Sequence, residues 1–154
     1  MSATAKKQII IESPYTVLTG SKPIFASIVE KQKIDVQILT NSLLSTDQIS
    51  TVAAFLPTVE ALTSSGVRVF IADGTSPKWQ KFLNPAVAQT KWGTHAKGAV
   101  IDDDTFEIST FNMDPRSQNL NSEMAFVCRG NKELTAAVRE DMMKRQKQMV
   151  ELDK

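Results

Sequence analysis

The chain has 154 residues, 42% of them hydrophobic and 23% charged, the proportions of a folded globular domain rather than of a disordered tail or a membrane-embedded bundle. Its 18 Lys and Arg against 17 Asp and Glu leave a formal net charge of +1, which weighs against a generic nucleic-acid clamp yet leaves room for a locally basic groove. One cysteine, Cys128, excludes an intrachain disulfide; no apolar run reaches the length of a membrane span, and the first residues carry lysines but no apolar leader.

Gln8 to Glu12 is a short apolar run stopped by Ser13-Pro14, read as a buried strand. Pro23 to Lys31 has helical spacing with proline in its first turn, and Asp35 to Leu39 is a second, β-branched strand. Thr46 or Asp47 can cap a long helix reaching Leu62 and ending near Ser65-Gly66, with a kink or break expected at Pro57. Val67 to Ile71 is a third strand. Asp73 to Trp92 mixes Gly, Pro and aromatics, which predicts a loop with a short helix around Trp79 to Leu83.

His95 to Ile101 and Thr105 to Ser109 predict a hairpin turning through Asp102-Asp103-Asp104. A polar loop over Asn112 to Ser122 follows, then a strand over Glu123 to Cys128 in which the cysteine is a buried small hydrophobe. Lys132 to Leu152 is expected to be a closing helix, packed through Leu134, Val138, Met142, Met149 and Leu152. This order of elements predicts an α/β fold, a mixed sheet flanked by helices, in a single domain without repeats.

The chemistry concentrates around the sole histidine, His95. On an extended backbone His95 and Lys97 share a face, so an imidazole stands beside a fixed positive charge. Ser109, Thr110 and Asn112 follow after one hairpin and add neutral polar groups. That set suits a phosphate ester: imidazole for attack or proton transfer, ammonium and amide for the phosphoryl oxygens. One histidine and one distant cysteine do not make a transition-metal shell, and no metal or other cofactor is expected.

The run His95, any residue, Lys97, four residues, Asp102, six residues, Ser109-Thr110, any residue, Asn112 resembles the motif of the phospholipase D superfamily. One departure is Ser109, where the family has glycine. The stretches Asn112-Met113-Asp114-Pro115-Arg116-Ser117 and Leu120-Asn121-Ser122-Glu123-Met124 are similar to the segment after the second motif of bacterial cardiolipin synthases and related phospholipases. Glu12-Ser13-Pro14-Tyr15, Ile38 to Leu43 and Thr46-Asp47 extend the likeness upstream.

The resemblance implies a two-histidine reaction in which one histidine attacks phosphorus to form a phosphohistidine while the other protonates the leaving alcohol. It implies His95 as nucleophile or general acid, Lys97 and Asn112 on the phosphoryl oxygens, and support from Thr110 and Ser109. Glu123 would orient a catalytic histidine, and Asp102 would be structural. Asp114 and Arg116 would either pair with each other to shape the loop or touch substrate.

Because the chain holds one motif, it is expected to be half of a site. Ser2 to Lys7 resembles the last turns of the helix that opens a lobe, so residues 1–154 are read as one phospholipase D-like lobe, the C-terminal part of a longer two-lobe protein or a lobe that works as a homodimer. A membrane association through a longer parent is compatible with that reading. The substrate expected is a phospholipid or another phosphodiester. Competing expectations are a homodimeric single-motif phosphodiesterase or nuclease, and a non-catalytic lobe.

Overall fold

The computed structural model describes residues 5–18, 25–31, 33–75 and 83–152. Seven strands form one mixed sheet: β1 (Gln8–Glu12), β2 (Asp35–Asn41), β3 (Arg68–Ala72), β4 (Gly98–Ile101), β5 (Thr105–Ser109), β6 (Ala125–Arg129) and β7 (Val150–Glu151). Their spatial order is β6-β5-β4-β1-β2-β3-β7. β1, β2 and β3 run parallel, while β4, β5, β6 and β7 join antiparallel. Helices α1 (Ile49–Ser64), α2 (Pro115–Asn119) and α3 (Lys132–Gln146) complete the described framework, which is the expected α/β class.

The central strands read as unbroken apolar runs because both sheet faces are covered. Ile9, Ile38 and Val69 point into a core shared with Phe55 and Leu62 of α1. Their neighbours Ile10, Leu39 and Phe70 point the other way, into a core shared with Val100, Phe106 and Met142 of α3. Each fully buried side chain of this kind contributes about 1.5–3 kcal/mol, so the central strands are firmly anchored on both faces.

Several boundaries differ from expectation. Helix α1 begins at Ile49, after Gln48, which makes no side-chain cap. Thr46 Oγ1 instead accepts the Gln48 N–H (3.0 Å), and Asp47 Oδ1 accepts the Tyr15 hydroxyl (2.6 Å). Pro57 does not break the helix. It lies on the exposed side, as does Ala53 one turn earlier, while Val52, Phe55 and Leu62 hold the opposite face in the core. The helix stops where predicted: Gly66 has φ +83°, and a Cβ there would meet Val29 Cγ1 at 2.8 Å.

The closing helix is shorter than its sequence pattern suggests. It ends at Gln146, and Val150–Glu151 pairs with the exposed side of β3, where Glu151 also takes a bidentate ion pair from Arg68 (2.7 and 3.0 Å). An unpaired strand edge wins the last residues from the helix. Met149 therefore packs on one sheet face and Leu152 on the other.

The polar loop after Asn112 contains the single-turn α2. The strand expected at Glu123 is β6, shifted to Ala125–Arg129, and it is a sheet edge rather than an interior element. Met124, Phe126 and Val127 are consequently exposed, and Cys128 is half-buried rather than fully enclosed. The predicted helix around Trp79 lies mostly outside the described residues, as does the start of the one at Pro23; Ser27–Lys31 forms a short π-type turn.

Candidate active site

His95 and Lys97 lie in the segment that leads into β4, before its regular ladder begins at Gly98. They share a face, as alternation requires. The Lys97 ammonium donates to the His95 carbonyl (3.0 Å) and stands 3.3 Å from Nε2 and 3.4 Å from Nδ1. The Ser109 N–H donates to the Lys97 carbonyl (3.0 Å), which brings the end of β5 alongside. His95, Lys97 and Ser109 line a cleft of about 620 Å³ between the sheet and α3. His95 is exposed and Lys97 is half-buried. Burial lowers the Lys97 pKa, opposed by the carboxylates of Glu123, Asp47 and Asp114.

Thr110 and Glu123 form one unit. The Thr110 hydroxyl donates to Glu123 Oε2 and accepts the Met124 N–H (3.0 Å), while Asn121 Nδ2 donates to Glu123 Oε1 (3.1 Å). The hydroxyls of Thr110 and Ser117, then the Asn121 amide and the Lys97 charge, hold the Glu123 carboxyl below its ordinary pKa. Glu123 is thus an ionised group beside Lys97. Its hydrogen bonds go to Thr110 and Asn121 rather than to His95.

Asn112 follows on the loop after β5. Its N–H donates to Ser117 Oγ (3.2 Å), and its Oδ1 is buried without a protein partner. The loop is stapled to the segment after β1: the Met113 N–H donates to Ser13 Oγ (3.0 Å), and the Val17 N–H donates to the Met113 carbonyl (2.7 Å). Asn112, Asp114 and Arg116 line a second cleft of about 570 Å³ with Tyr15 and Asn121. Burial and the Asp47 carboxylate push the Tyr15 hydroxyl up to about 12, so it acts as a donor at neutral pH.

Asp114 does not pair with Arg116. Its Oδ1 accepts the Ser117 N–H (2.7 Å) as the N-cap of α2, with Pro115 at the first helical position.

Asp102 sits at the far end of β4 from Lys97, roughly 17 Å along an extended chain, so it does not reach the reacting groups. Its carboxylate accepts the backbone N–H groups of Lys6 (2.8 Å), Lys7 (2.7 Å) and Gln8 (3.0 Å). Partial burial would raise its pKa, but these three donors outweigh that and lower it. The motif aspartate pins the start of β1. Among the described residues no group of three or more His, Cys, Asp or Glu side chains is placed to hold a metal.

What the motif does not reveal lies directly behind His95. Thr94 is buried, and the Asn41 side chain clamps its backbone on both sides: Oδ1 accepts the Thr94 N–H (2.9 Å) and Nδ2 donates to the Thr94 carbonyl (3.0 Å). Gly93 permits this, because a Cβ there would lie 2.0 Å from the Ser45 carbonyl oxygen and 2.9 Å from Asn41 Oδ1. Thr94 Oγ1 donates to Glu12 Oε1 (2.6 Å), and Glu12 in turn pairs with Arg145. The available signal was Glu12 itself, a carboxylate closing a buried apolar strand, which demands a partner.

The architecture and the arrangement around His95 define a phospholipase D-type fold. Near-complete overlays occur with a phospholipase D family member, Nuc, from Salmonella typhimurium (TM-score 0.72, 19% identity, 99% of this chain and 86% of that one). NucT from Helicobacter pylori gives a TM-score of 0.70 at 16% identity, covering 98% and 86%. The phosphatidylserine synthase of Haemophilus influenzae Rd KW20 gives 0.63 at 15% identity, with 98% of this chain on 35% of that one.

Residues 2–145 match the family described as cardiolipin synthase, PLD-like domain, and the chain belongs to that family. In sequence it is 34% identical over 126 residues to an uncharacterized protein of Helicobacter pylori strain 26695 (79% of this chain, 24% of that protein). It is 30% identical over 122 residues to cardiolipin synthase C of Escherichia coli K12 (79% and 26%). The chain therefore spans about a quarter of the length of these curated relatives. Members of the superfamily are phosphodiesterases and phosphatidyltransferases.

Proposed function

We propose that the chain supplies one half of a phosphodiester-cleaving site, acting on phospholipid phosphodiesters by hydrolysis or phosphatidyl transfer. The observation that carries this reading is the His95–Lys97 pair lining one cleft, with an ammonium 3.3 Å from the exposed imidazole and no second histidine in the chain. In the reaction an imidazole nitrogen attacks phosphorus and the P–O bond to the leaving alcohol breaks. A second histidinium donates its proton to that oxygen. The same group then takes a proton from water or an acceptor alcohol, which attacks phosphorus and releases the first histidine. Lys97 and the Asn112 amide offset the charge on the phosphoryl oxygens, and the Glu123 carboxylate favours the charged form of Lys97 against the burial that lowers its pKa.

The second histidine comes from another lobe or another copy. An apolar edge suited to such a neighbour adjoins the site: Ile108 is 53% exposed, Phe126 63%, Met124 77% and Leu120 81%. Identity to a protein named cardiolipin synthase C supports a lipid substrate. The near full-length overlay on Nuc and NucT favours a second reading, a homodimeric single-motif phosphodiesterase or nuclease. Solution mass together with turnover on labelled phosphatidyl lipids and on single- and double-stranded DNA separates these. Dimeric lipid turnover supports the proposal, DNA turnover moves it to the second reading, and an inert monomer leaves a lobe that requires a partner or does not react.

A further inference from the structure

The imidazole of His95 is not held by the sheet. β4 begins three residues later, and His95 and Ala96 are both exposed. Its flanking residues are nevertheless fixed. Asn41 binds the N–H and the carbonyl of Thr94, and the Ala96 N–H donates to Thr94 Oγ1 (3.3 Å).

A threonine hydroxyl has one proton, so it can accept from Ala96 in a defined direction only if something else fixes where it donates. Glu12 does that. Its carboxylate is acceptor-only and takes the Thr94 proton at 2.6 Å. Glu12 is itself held by Arg145, with Nε at 2.9 and 3.1 Å from the two oxygens and Nη2 at 2.7 Å from Oε2. The Glu12 side chain is 0% exposed, and Arg145 comes from the last turn of α3, 133 residues away.

Burying the Glu12 carboxylate, even against an Arg145 side chain that stays 23% exposed, is poor economy if stability is its purpose, since the desolvation penalty consumes much of the attraction. It makes sense as a device that fixes geometry. We infer that Glu12 and Arg145 are positioning residues for His95, acting through the Thr94 hydroxyl, so that the end of α3 sets the orientation of the reacting imidazole. This rests on the reading of His95 as the reacting group. It adds that the two segments closing the site from behind, the end of β1 and the last turn of α3, are part of its machinery.

The chain's single histidine supplies a readout that does not need turnover. The Hε1–Cε1 correlation of His95 in the full chain reports its ring environment without overlap. Thr94→Val removes the hydroxyl and leaves the Glu12–Arg145 pair and the docking of α3 in place. The expected result is a shifted or broadened His95 signal with little change in the unfolding midpoint. Where turnover is present, kcat falls about 10- to 100-fold at nearly constant KM, the cost of a misplaced reacting group. Thr94→Ser restores the hydroxyl and should restore signal and kcat together.

Glu12→Leu with Arg145→Met, an apolar replacement of the pair, should fold yet show the same His95 displacement. An unchanged His95 signal in Thr94→Val, or in the apolar double variant, overturns the inference. So does a Thr94→Ser chain that fails to recover the wild-type signal. If Thr94→Val does not fold, Thr94→Ser against Glu12→Gln decides instead, with the signal kept in the first and displaced in the second. An inert wild-type chain would count against the proposed function alone, because the resonance of His95 still tests the positioning.

Discussion

Lys97 places its ammonium almost equidistant from the two ring nitrogens of His95, at 3.3 and 3.4 Å, while bonding the histidine's own carbonyl at 3.0 Å. The lysine therefore fixes the charge at the cleft and shares the local backbone with the group it serves. Replacing His95 by Asn should cut turnover by at least ~10³-fold, measured with the partner lobe or dimer present. The unfolding midpoint should stay within a degree or two, because the side chain is exposed. Appreciable turnover in His95→Asn would remove this residue from the chemistry.

Lys97→Met should damage the reaction differently. The neutral side chain keeps most of the packing but leaves the developing phosphoryl charge uncompensated, a loss of about 10²- to 10³-fold in kcat. Burial lowers the pKa of Lys97, so the charged state that the reaction uses is lost at a lower pH than for a free lysine. The high-pH limb of the kcat profile should accordingly fall below the ordinary lysine value of about 10.4, and it should disappear in Lys97→Met.

Asp102→Asn tests the structural role of the motif aspartate. An amide oxygen cannot accept the Lys6, Lys7 and Gln8 N–H groups as the two carboxylate oxygens do, and the expected cost is about 1–3 kcal/mol of stability. The sign with pH follows from the lowered pKa of Asp102. The carboxylate's contribution is present above the unfolded-state value of about 3.9 and is lost as pH falls through the lower folded-state value. Denaturant midpoints of wild type and variant should therefore diverge at neutral pH and converge in strong acid.

The edge strand β6 offers a test of the neighbouring lobe. Phe126 stands 63% exposed, across the ladder from Ile108 and 6.1 Å, ring to ring, from Phe106. Phe126→Lys should leave the isolated chain folded and abolish any concentration-dependent dimer seen by sedimentation. Unaltered association would mean that a second copy docks elsewhere.

Pro57 lies in the middle of α1, where it removes a helix donor and crowds the carbonyl one turn earlier. Pro57→Ala should raise stability by roughly 2 kcal/mol, the interior-proline penalty less the entropy that proline removes from the unfolded chain. Thermal unfolding checks it directly.

Much of this architecture was legible from local pattern. The apolar runs of β1, β2 and β3 and the strand β5 were placed to within a residue or two, because they are short, apolar and bounded by turn residues, while β4 starts at Gly98, three residues after the expected His95. The hairpin was expected to bring His95, Lys97 and Asn112 to one end; His95 and Lys97 line one cleft, whereas Asn112 lines another. The misreadings were of another kind. Glu123 to Cys128 reads as a strand with Cys128 buried, but being apolar does not say whether a neighbour exists, and β6 is an edge with Cys128 half-buried. The tail after Gln146 carries helix formers, yet the open side of β3 pairs with Val150–Glu151.

Residue types and spacing were enough to specify the α/β class, the family motif and the arithmetic of a single histidine, because those depend on periodicity and composition over short windows. Tertiary structure alone decided which distant groups hold the site: Arg145 on Glu12, Asn41 on Thr94, and Asp102 on the start of β1. Each of these contacts joins segments brought together by the strand order of the sheet. A buried polar group announces in sequence only that it needs a partner; the fold selects which one it meets.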